Sequence, residues 1–158
     1  MLANASAPDA TVISLDMRGG PHGAGYPPWK VPLLKSFVHG DQKLILLDAD
    51  SHNSNTPNMI SNILQGELLD VLFIDGDHSY EGVKRDFGLY QSFVRPGGLI
   101  IMHDIAVCNF DPTCKVNVFW DEIKDNYAYC EIIRDRKQDW GGIGILKQWW
   151  LKLLLNRM

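Results

Sequence analysis

Acidic residues stand directly after several short apolar runs of this sequence, at the points where the strands of a parallel sheet would end. These acids are Asp16, Asp48, Asp50, Asp75, Asp77 and, directly after His103, Asp104. In an open α/β sheet the ligand crevice lies outside the carboxyl ends of the strands, so the pattern predicts that the acids share one rim. Aspartate is also a common turn former and helix cap, and Asp48 alone is interpreted in that way.

Asp75 and Asp104 are the pair for which a functional role is favoured. Carboxylates on neighbouring strand ends can converge on one hard divalent cation, which prefers oxygen ligands and retains water or substrate oxygens. His78 follows closely after Asp75, and an imidazole there can take a proton from a hydroxyl that the cation has acidified. The alternative is that His78 caps its own helix. His103 also has two interpretations, as a metal ligand or as a ring that points away and hydrogen-bonds behind the cation.

The elements that must position these side chains alternate between strands and helices, which is typical of a parallel sheet covered by helices. Strands are predicted at 11–15, 43–47, 70–74 and 99–102, and helices at about 31–38, 56–64, from 80 onwards and 116–127. The apolar positions of the helix from Tyr80 recur at helical spacing, and the sequence RPGG is predicted to end it. Two last strands, 128–134 and 142–147, are predicted to form a hairpin.

These elements together predict a Rossmann-like three-layer α/β sandwich, with a mostly parallel sheet and a C-terminal antiparallel hairpin. Residues 1–147 are expected to form a single domain, and residues 148–158 an apolar, helical tail. The tail is shorter than the ~20 apolar residues that cross a membrane. Docking of the tail on the domain or on a partner is favoured over an interfacial membrane helix, and the chain is expected to form a homo-oligomer.

Composition restricts the classes of function. The chain has 158 residues, of which 46% are hydrophobic, and a formal net charge of −4. Because affinity for nucleic acid comes largely from clustered Lys and Arg, this charge argues against a nucleic-acid binder. The three cysteines form no CxxC pair, and the N-terminal segment lacks the pattern of a signal peptide. Reduced thiols in a cytoplasmic protein are therefore expected.

The stretch FIDGDHSYEGVKRDFGLYQSFVRPGGLIIMHDI closely resembles the class I S-adenosylmethionine-dependent methyltransferases. The branch to which it is most similar is that of the small metal-dependent O-methyltransferases, grouped with cephalosporin-hydroxylase-type and macrocin-type proteins. The likeness extends from about Val12 to Lys147 and includes VISLD, GAGYPPWKVPLLKSF and LLDADSH. The combination is specific, whereas a lone RPGG or DGDH would not be.

The resemblance implies a cofactor and the residues that would hold it. Asp16 would bind the ribose hydroxyls of S-adenosylmethionine, and Asp50 and Ser51 would lie near its adenine. The acceptor of the methyl group would be a small hydroxylated molecule.

The resemblance also implies a metal site. Asp75 and Asp104 would ligate Mg²⁺ or a similar ion, with His78 as the general base. The family often has a second acid at the position of His103, and the imidazole in its place leaves room for a softer ion such as Mn²⁺ or Fe²⁺.

A larger departure from the family concerns the start of the chain. The first strand and glycine-rich turn of the family, which hold the methionine end of the cofactor, would precede Asp9, where only MLANASAPDA stands. This difference supports a second hypothesis, that the chain is a non-catalytic or partner-dependent remnant that binds the cofactor weakly or not at all. A minor alternative is an aspartate-nucleophile phosphohydrolase, because DGDHS is similar to the DxDx[ST] motif, with Asp75 as nucleophile and Asp77 as acid.

Overall fold

The computed structural model describes residues 2–19, 25–135 and 138–149. These residues belong to two compact units, Met1–Thr56 and Pro57–Met158. Most of the predicted tail, residues 150–158, lies outside the described residues. That residues 1–147 act as one domain stays a prediction.

The first unit contains a parallel pair of strands, β1 (Thr11–Asp16) and β2 (Lys43–Asp48). Their register joins Thr11 to Lys43 at one end and Asp16 to Asp48 at the other, so both strands deliver an aspartate at the same edge. Two short helices, α1 (Leu2–Ala5) and α2 (Lys30–Lys35), belong to the same unit. The buried side chain of Gln42 ties the N-terminal segment to the start of β2, because its amide donates to main-chain carbonyls of that segment at 2.8–3.3 Å.

Helix α3 (Thr56–Leu64) matches the range predicted from the sequence and begins at the boundary between the units. The hydroxyl of Thr56 contacts the loop before the helix. It donates to the main-chain carbonyl of Asp50 at 2.6 Å and so holds the loop that follows β2.

The second unit is built on a four-stranded sheet with the order β3-β4-β6-β5. Its strands are β3 (Leu69–Ile74), β4 (Val94–His103), β5 (Ala128–Ile132) and β6 (Ile143–Lys147). β3 and β4 are parallel, whereas β6 lies between β4 and β5 and is antiparallel to both. The strand and helix alternation and the final hairpin therefore confirm the predicted α/β class.

Helices α4 (Tyr80–Tyr90) and α5 (Val116–Ile123) pack on each other, α4 also contacting β3 and α5 contacting β4. The core between helices and sheet contains Val83, Phe87, Ile100, Met102, Phe119, Trp120 and Leu146. Two of its rings, Phe87 and Phe119, meet edge to face with centroids 5.5 Å apart, a favourable geometry for aromatic pairs.

The segment from Val94 to Gly98 differs from the prediction. RPGG was expected to turn the chain before a strand at 99–102, but β4 already begins at Val94. Val94 pairs with Leu69 and Leu99 with Val71, so the intervening residues form an irregularity within the strand pairing. Gly97 has a φ of +77°, and a Cβ at Gly98 would meet the carbonyl oxygen of Asp70 at 2.9 Å, so glycine at both positions allows the irregularity.

β3 forms an edge of this sheet, since among the described residues it pairs with β4 alone. Val71 and Phe73 on this strand are 40% and 38% exposed, more than is usual for such large apolar side chains. Homo-oligomer formation stays a prediction.

None of the helices in the described part of the chain has the length and apolar character of a membrane-spanning segment.

The packing of Trp120 on β6 gives a stability prediction. Trp120 is buried, its indole N–H donates to Glu131 at 2.8 Å, and a Cβ at Gly144 would lie 2.6 Å from its ring. We expect Gly144→Ala to destabilise the protein by about 1–3 kcal/mol, as overpacking in a core does, measured by urea unfolding.

Gly88→Ala is the matched control for this prediction. Gly88 lies in α4, and a Cβ there would meet nothing within 4 Å. Because alanine is the better helix former, this variant should be more stable by up to ~1 kcal/mol. Equal effects of the two substitutions would contradict the packing argument.

Candidate metal and cofactor site

The parallel pairing of β3 and β4 places two aspartates at one edge of the second unit. Ile74 and Met102 are register partners near the ends of the two strands. Asp75 directly follows β3 and Asp104 directly follows β4. In parallel strands both chains leave the sheet at the same edge, so the two carboxylates are brought together there.

Asp104 has an unusual backbone conformation. Its φ is +60°, in the left-handed region that costs most residues other than glycine on the order of 1 kcal/mol, although Asp and Asn tolerate it better than others. Backbone conformations of this kind cluster at functional sites, where the surrounding structure maintains them. In this chain the unusual conformation falls on the residue that directly follows β4.

His103 contributes a nitrogen to the same point. Its Nδ1 lies 3.3 Å from Oδ1 of Asp75 and 3.2 Å from Oδ1 of Asp104. This nitrogen is buried and has no hydrogen-bond partner within the described structure, because neither close approach has the geometry of a hydrogen bond. A buried polar atom without a partner is costly, so its position among two carboxylates requires an explanation.

A divalent cation would account for this arrangement. The donor atoms of Asp75, His103 and Asp104 all lie within 4.8 Å of one another. Neighbouring ligands in an octahedral site are about 3 Å apart when the bonds are about 2.1 Å long, and the two measured separations of 3.2 and 3.3 Å are close to that value. The residues at this strand edge therefore fit a cation that accepts two carboxylate oxygens and one imidazole nitrogen.

His78 lies against the same carboxylates. Its Nε2 is 3.4 Å from Oδ1 of Asp75, and its Nδ1 is 3.2 Å from Oδ2 of Asp104. The capping role considered for His78 belongs to Ser79, whose hydroxyl accepts the N–H of Gly82 at 3.0 Å. His78 is thus placed beside the acids by the N-terminus of α4 and remains available for contact with them.

The electrostatic surroundings raise the pKa of His78. A hydrogen bond to Asp75 is the largest cause, and the charges of Asp104, Asp75 and Asp77 add to it, while partial burial acts in the opposite direction. The imidazolium form is favoured because each of these carboxylates is negatively charged. Compensation of the carboxylate charge would favour the neutral, proton-accepting form of His78.

Asp77 stabilises the loop and does not join the cluster of donor atoms. Its carboxylate accepts the N–H of Ser79 at 2.9 Å. It also lies so close to Gly82 that a Cβ there would be 2.1 Å from its Cγ. Both contacts are those of a residue that fixes the start of α4, which gives the phosphohydrolase alternative no support.

Cys114 is a nearby residue that the sequence did not indicate. Its thiol belongs to a second group of possible ligands, with His78 and Asp104, whose donor atoms also lie within 4.8 Å of one another. Burial raises the pKa of Cys114, and the charge of Asp104 adds to this effect. Only the approach of the 111–115 loop to His78, where the N–H of Lys115 donates to the His78 carbonyl at 2.8 Å, reveals this proximity.

The predicted cofactor residues belong to the first unit. Asp16 is half-buried at the end of β1, and Asp50 and Ser51 lie in the loop after β2. The carboxylate of Asp50 accepts the N–H of His52 at 2.8 Å, an ordinary turn contact. Cofactor binding by these three residues stays a prediction.

Asp48 forms an ion pair with Arg18, whose guanidinium lies 2.8 Å from one carboxylate oxygen. The main-chain N–H of Arg18 donates to the other carboxylate oxygen at 3.0 Å. This contact agrees with the structural role that the sequence suggested for Asp48.

A cavity of about 360 Å³ in the same unit is lined in part by Arg18, Tyr26 and Asp48. Burial raises the pKa of Tyr26, whose hydroxyl donates to Ser14 at 2.8 Å.

Comparison with protein families supports the class of the fold. A family model described as a methyltransferase domain matches residues 33–105. This range includes both strands of the acidic edge and the start of α4. Among curated proteins, an uncharacterised protein of Acanthamoeba polyphaga mimivirus is 46% identical over 44 residues, which are 28% of this chain and 20% of that protein.

Solved structures share the fold at low identity. An O-methyltransferase family protein from Burkholderia thailandensis has a TM-score of 0.53 at 12% identity, over 94% of this chain and 54% of that one. The MycE methyltransferase of the mycinamycin biosynthetic pathway, in complex with Mg and SAH, also has a TM-score of 0.53, at 16% identity, over 88% and 45% of the two chains. An O-methyltransferase from Bacillus cereus, in complex with SAH, has a TM-score of 0.50 at 15% identity, over 89% and 74%.

The fold is therefore the Rossmann-like fold of O-methyltransferases, and the predicted resemblance to class I S-adenosylmethionine-dependent methyltransferases is confirmed. The chain spans a fifth of the curated relative and about half of the first two solved structures.

The raised pKa of His78 gives a prediction for the metal-free protein. We expect NMR titration to place the pKa of His78 above the ordinary value of about 6.5, and Asp75→Asn to lower it, because the hydrogen bond to Asp75 is the largest cause. A folded-state pKa above the unfolded one contributes stability that is present below the unfolded pKa and is lost as pH rises through the folded pKa. Asp75→Asn should accordingly cost more stability at about pH 5–6, where Asp75 is ionised and His78 is protonated, than at pH values above the folded-state pKa of His78.

Asp70→Asn is the control for this titration. Asp70 lies on β3, the strand that Asp75 directly follows, but its carboxylate is exposed and paired with Arg95 at 2.6 Å. It should leave the pKa of His78 unchanged. A pKa of His78 that does not respond to Asp75→Asn would show that the contact between them does not form in solution.

Proposed function

We propose that this chain is the metal- and cofactor-binding part of an S-adenosylmethionine-dependent O-methyltransferase that acts on a small hydroxylated molecule. The observation that carries the proposal is the convergence of Asp75, His103 and Asp104 on one point, with His78 beside them. The methyltransferase family model and the shared fold support the same class of reaction. MycE, with Mg and SAH bound, is a protein of this fold in which a divalent cation and the cofactor product occur together.

Asp75, His103 and Asp104 would hold the cation. When bound, a divalent cation lowers the pKa of a hydroxyl that it contacts, so that the hydroxyl loses its proton near neutral pH. Two carboxylates and an imidazole suit Mg²⁺, Mn²⁺ or Fe²⁺, and the imidazole favours the softer members of this series. The half-exposed carboxylate of Asp75 leaves the open side of the site accessible to a substrate.

His78 would take the proton of the acceptor hydroxyl on one of its ring nitrogens. Both nitrogens lie beside carboxylates, and compensation of the carboxylate charge lowers the pKa of His78 toward the value that a base needs near neutral pH. Asp75 and Asp104 would thus act twice, as ligands and as the groups that set the protonation of His78. S-adenosylmethionine supplies an electrophilic methyl group, and Asp16, Asp50 and Ser51 are proposed to hold its adenosine part.

Cation binding is the first test of the proposal. We expect Asp75→Asn and Asp104→Asn each to weaken Mn²⁺ binding by at least ~10-fold, because each removes a charged ligand, measured by calorimetry on the metal-free protein. Asn at position 104 also tolerates the positive φ, so a folding defect is not expected there. Asp70→Asn is the control and should bind Mn²⁺ as the unsubstituted chain does. Unchanged Mn²⁺ affinity in both site variants would reject the ligand assignment.

Methyl transfer is the second test. The unsubstituted chain is incubated with S-adenosylmethionine, Mg²⁺ or Mn²⁺ and catechol, whose adjacent oxygens can reach one cation, and S-adenosylhomocysteine is measured. We expect His78→Gln to lower the rate by about 10²–10⁴-fold, the usual contribution of a general base, while Mn²⁺ affinity is retained. A rate that is unaffected by His78→Gln would assign the proton transfer to another group.

Cofactor binding distinguishes the proposed enzyme from the alternative, a non-catalytic or partner-dependent remnant. If calorimetry detects Mn²⁺ binding but no binding of S-adenosylhomocysteine, with or without Mn²⁺, the remnant hypothesis is favoured. Binding of both favours the enzyme.

A further inference from the structure

The donor atoms around Asp104 form two ligand groups rather than one. The group already described is Asp75, His103 and Asp104, and the other is His78, Asp104 and Cys114. Asp104 belongs to both, but with different oxygens nearest to the neighbouring rings, since Oδ1 is 3.2 Å from His103 and Oδ2 is 3.2 Å from His78. The two groups therefore lie on opposite oxygens of one carboxylate.

The two groups differ in chemistry. The first offers two carboxylates and an imidazole, a set that suits hard or borderline cations. The second replaces one carboxylate by a thiol, and thiolate ligands select soft cations such as Zn²⁺ and Cd²⁺ over Mg²⁺. A cation that binds sulfur weakly is not expected to occupy the second group, whereas a thiophilic cation is.

Cys114 is held in place by contacts of its own loop. Asp111 accepts the N–H of Thr113 at 2.9 Å and its hydroxyl at 2.6 Å, and the Asp111 carbonyl accepts the N–H of Cys114 at 3.2 Å. The next residue, Lys115, donates its N–H to the carbonyl of His78. The loop that carries the thiol is thus bonded to the main chain of the residue that carries the imidazole.

One spacing of the second group, that between His78 and Asp104, is close to that of a tetrahedral site. Ligands in such a site are about 3.3–3.8 Å apart when the bonds are about 2.0–2.3 Å long. The His78–Asp104 separation of 3.2 Å is already near this range, and all three donor atoms lie within 4.8 Å of one another. Cys114 is only 5% exposed, so a cation would approach through the partly exposed side chains of His78 and Asp104.

We propose that His78, Asp104 and Cys114 form a second cation site that is selective for thiophilic divalent ions such as Zn²⁺ and Cd²⁺. Binding forms a bond between the cation and the Cys114 sulfur and releases the thiol proton to solvent, with no change of oxidation state. The site would be inhibitory, because a ring nitrogen of His78 that binds the cation cannot take a proton. Only this inhibition rests on the proposed methyltransferase function, whereas cation binding does not.

The test is a Cd²⁺ titration of the reduced, metal-free chain, followed by the ultraviolet absorption of the sulfur-to-cadmium charge transfer. We expect one equivalent of Cd²⁺ to saturate the band, and Cys114→Ser to remove it. His78→Gln should weaken Cd²⁺ binding by at least about tenfold, as loss of a ligand does. Mg²⁺ in excess should not produce the band.

Matched controls are available on the same chain. Cys108→Ser and Cys130→Ser remove the other two thiols and should leave the band intact. Asp70→Asn, at an exposed carboxylate paired with Arg95, should also retain the band. A band that survives Cys114→Ser, a band lost in Cys108→Ser, or the absence of a band in the unsubstituted chain would overturn the proposal.

A second measurement covers the case in which Cys114→Ser does not fold. The ¹¹³Cd NMR shift of the unsubstituted chain distinguishes a cation with one sulfur ligand from a cation bound by oxygen and nitrogen only. A one-sulfur shift supports the site, and an oxygen–nitrogen shift rejects it. Because neither measurement uses S-adenosylmethionine, failure here is distinguishable from failure of the proposed function.

Discussion

The parallel pairing of β3 with β4 is the constraint on which the candidate site depends. It fixes Ile74 opposite Met102, so that the next residues of both chains leave the sheet at one edge. A shift of one residue would exchange the buried and exposed sides of the strand, moving Met102 out of the core and turning His103 inward. The core packing around Ile100 and Met102 therefore determines the distance between two charged carboxylates.

The two carboxylates at that edge repel each other unless a positive group lies between them. Asp75 and Asp104 are negative, and in the metal-free protein the protonated form of His78 compensates part of this charge, which is why its pKa is raised. A divalent cation compensates the same charge more strongly. The protonated ring of His78 and a bound cation are thus alternative ways to compensate the charge of Asp75 and Asp104. If a cation compensates this charge, the neutral form of His78 is favoured.

The sequence predicted the elements of this arrangement better than their details. Apolar runs closed by acids identified β3, β4 and the two aspartates, because strand period and strand end are local properties of the chain. The irregular pairing at RPGG was missed, since it depends on the contact of Gly98 with the Asp70 carbonyl on another strand. Cys114 was missed for a similar reason. A hydrogen bond joins its loop to the His78 carbonyl at the site, and no spacing in the sequence encodes that bond.

Asp104 shows how one residue can serve two chemistries. Its positive φ presents both carboxylate oxygens between two imidazoles, one on each side. In the two proposed sites the third ligand would decide which cation is preferred, a carboxylate on the side of His103 and a thiol on the side of His78. Hard cations gain most from the first combination and soft cations from the second, because ligand softness governs selectivity when the geometry is similar. If the proposed site depends on a hard cation, the buried thiol of Cys114 would make it sensitive to soft ones.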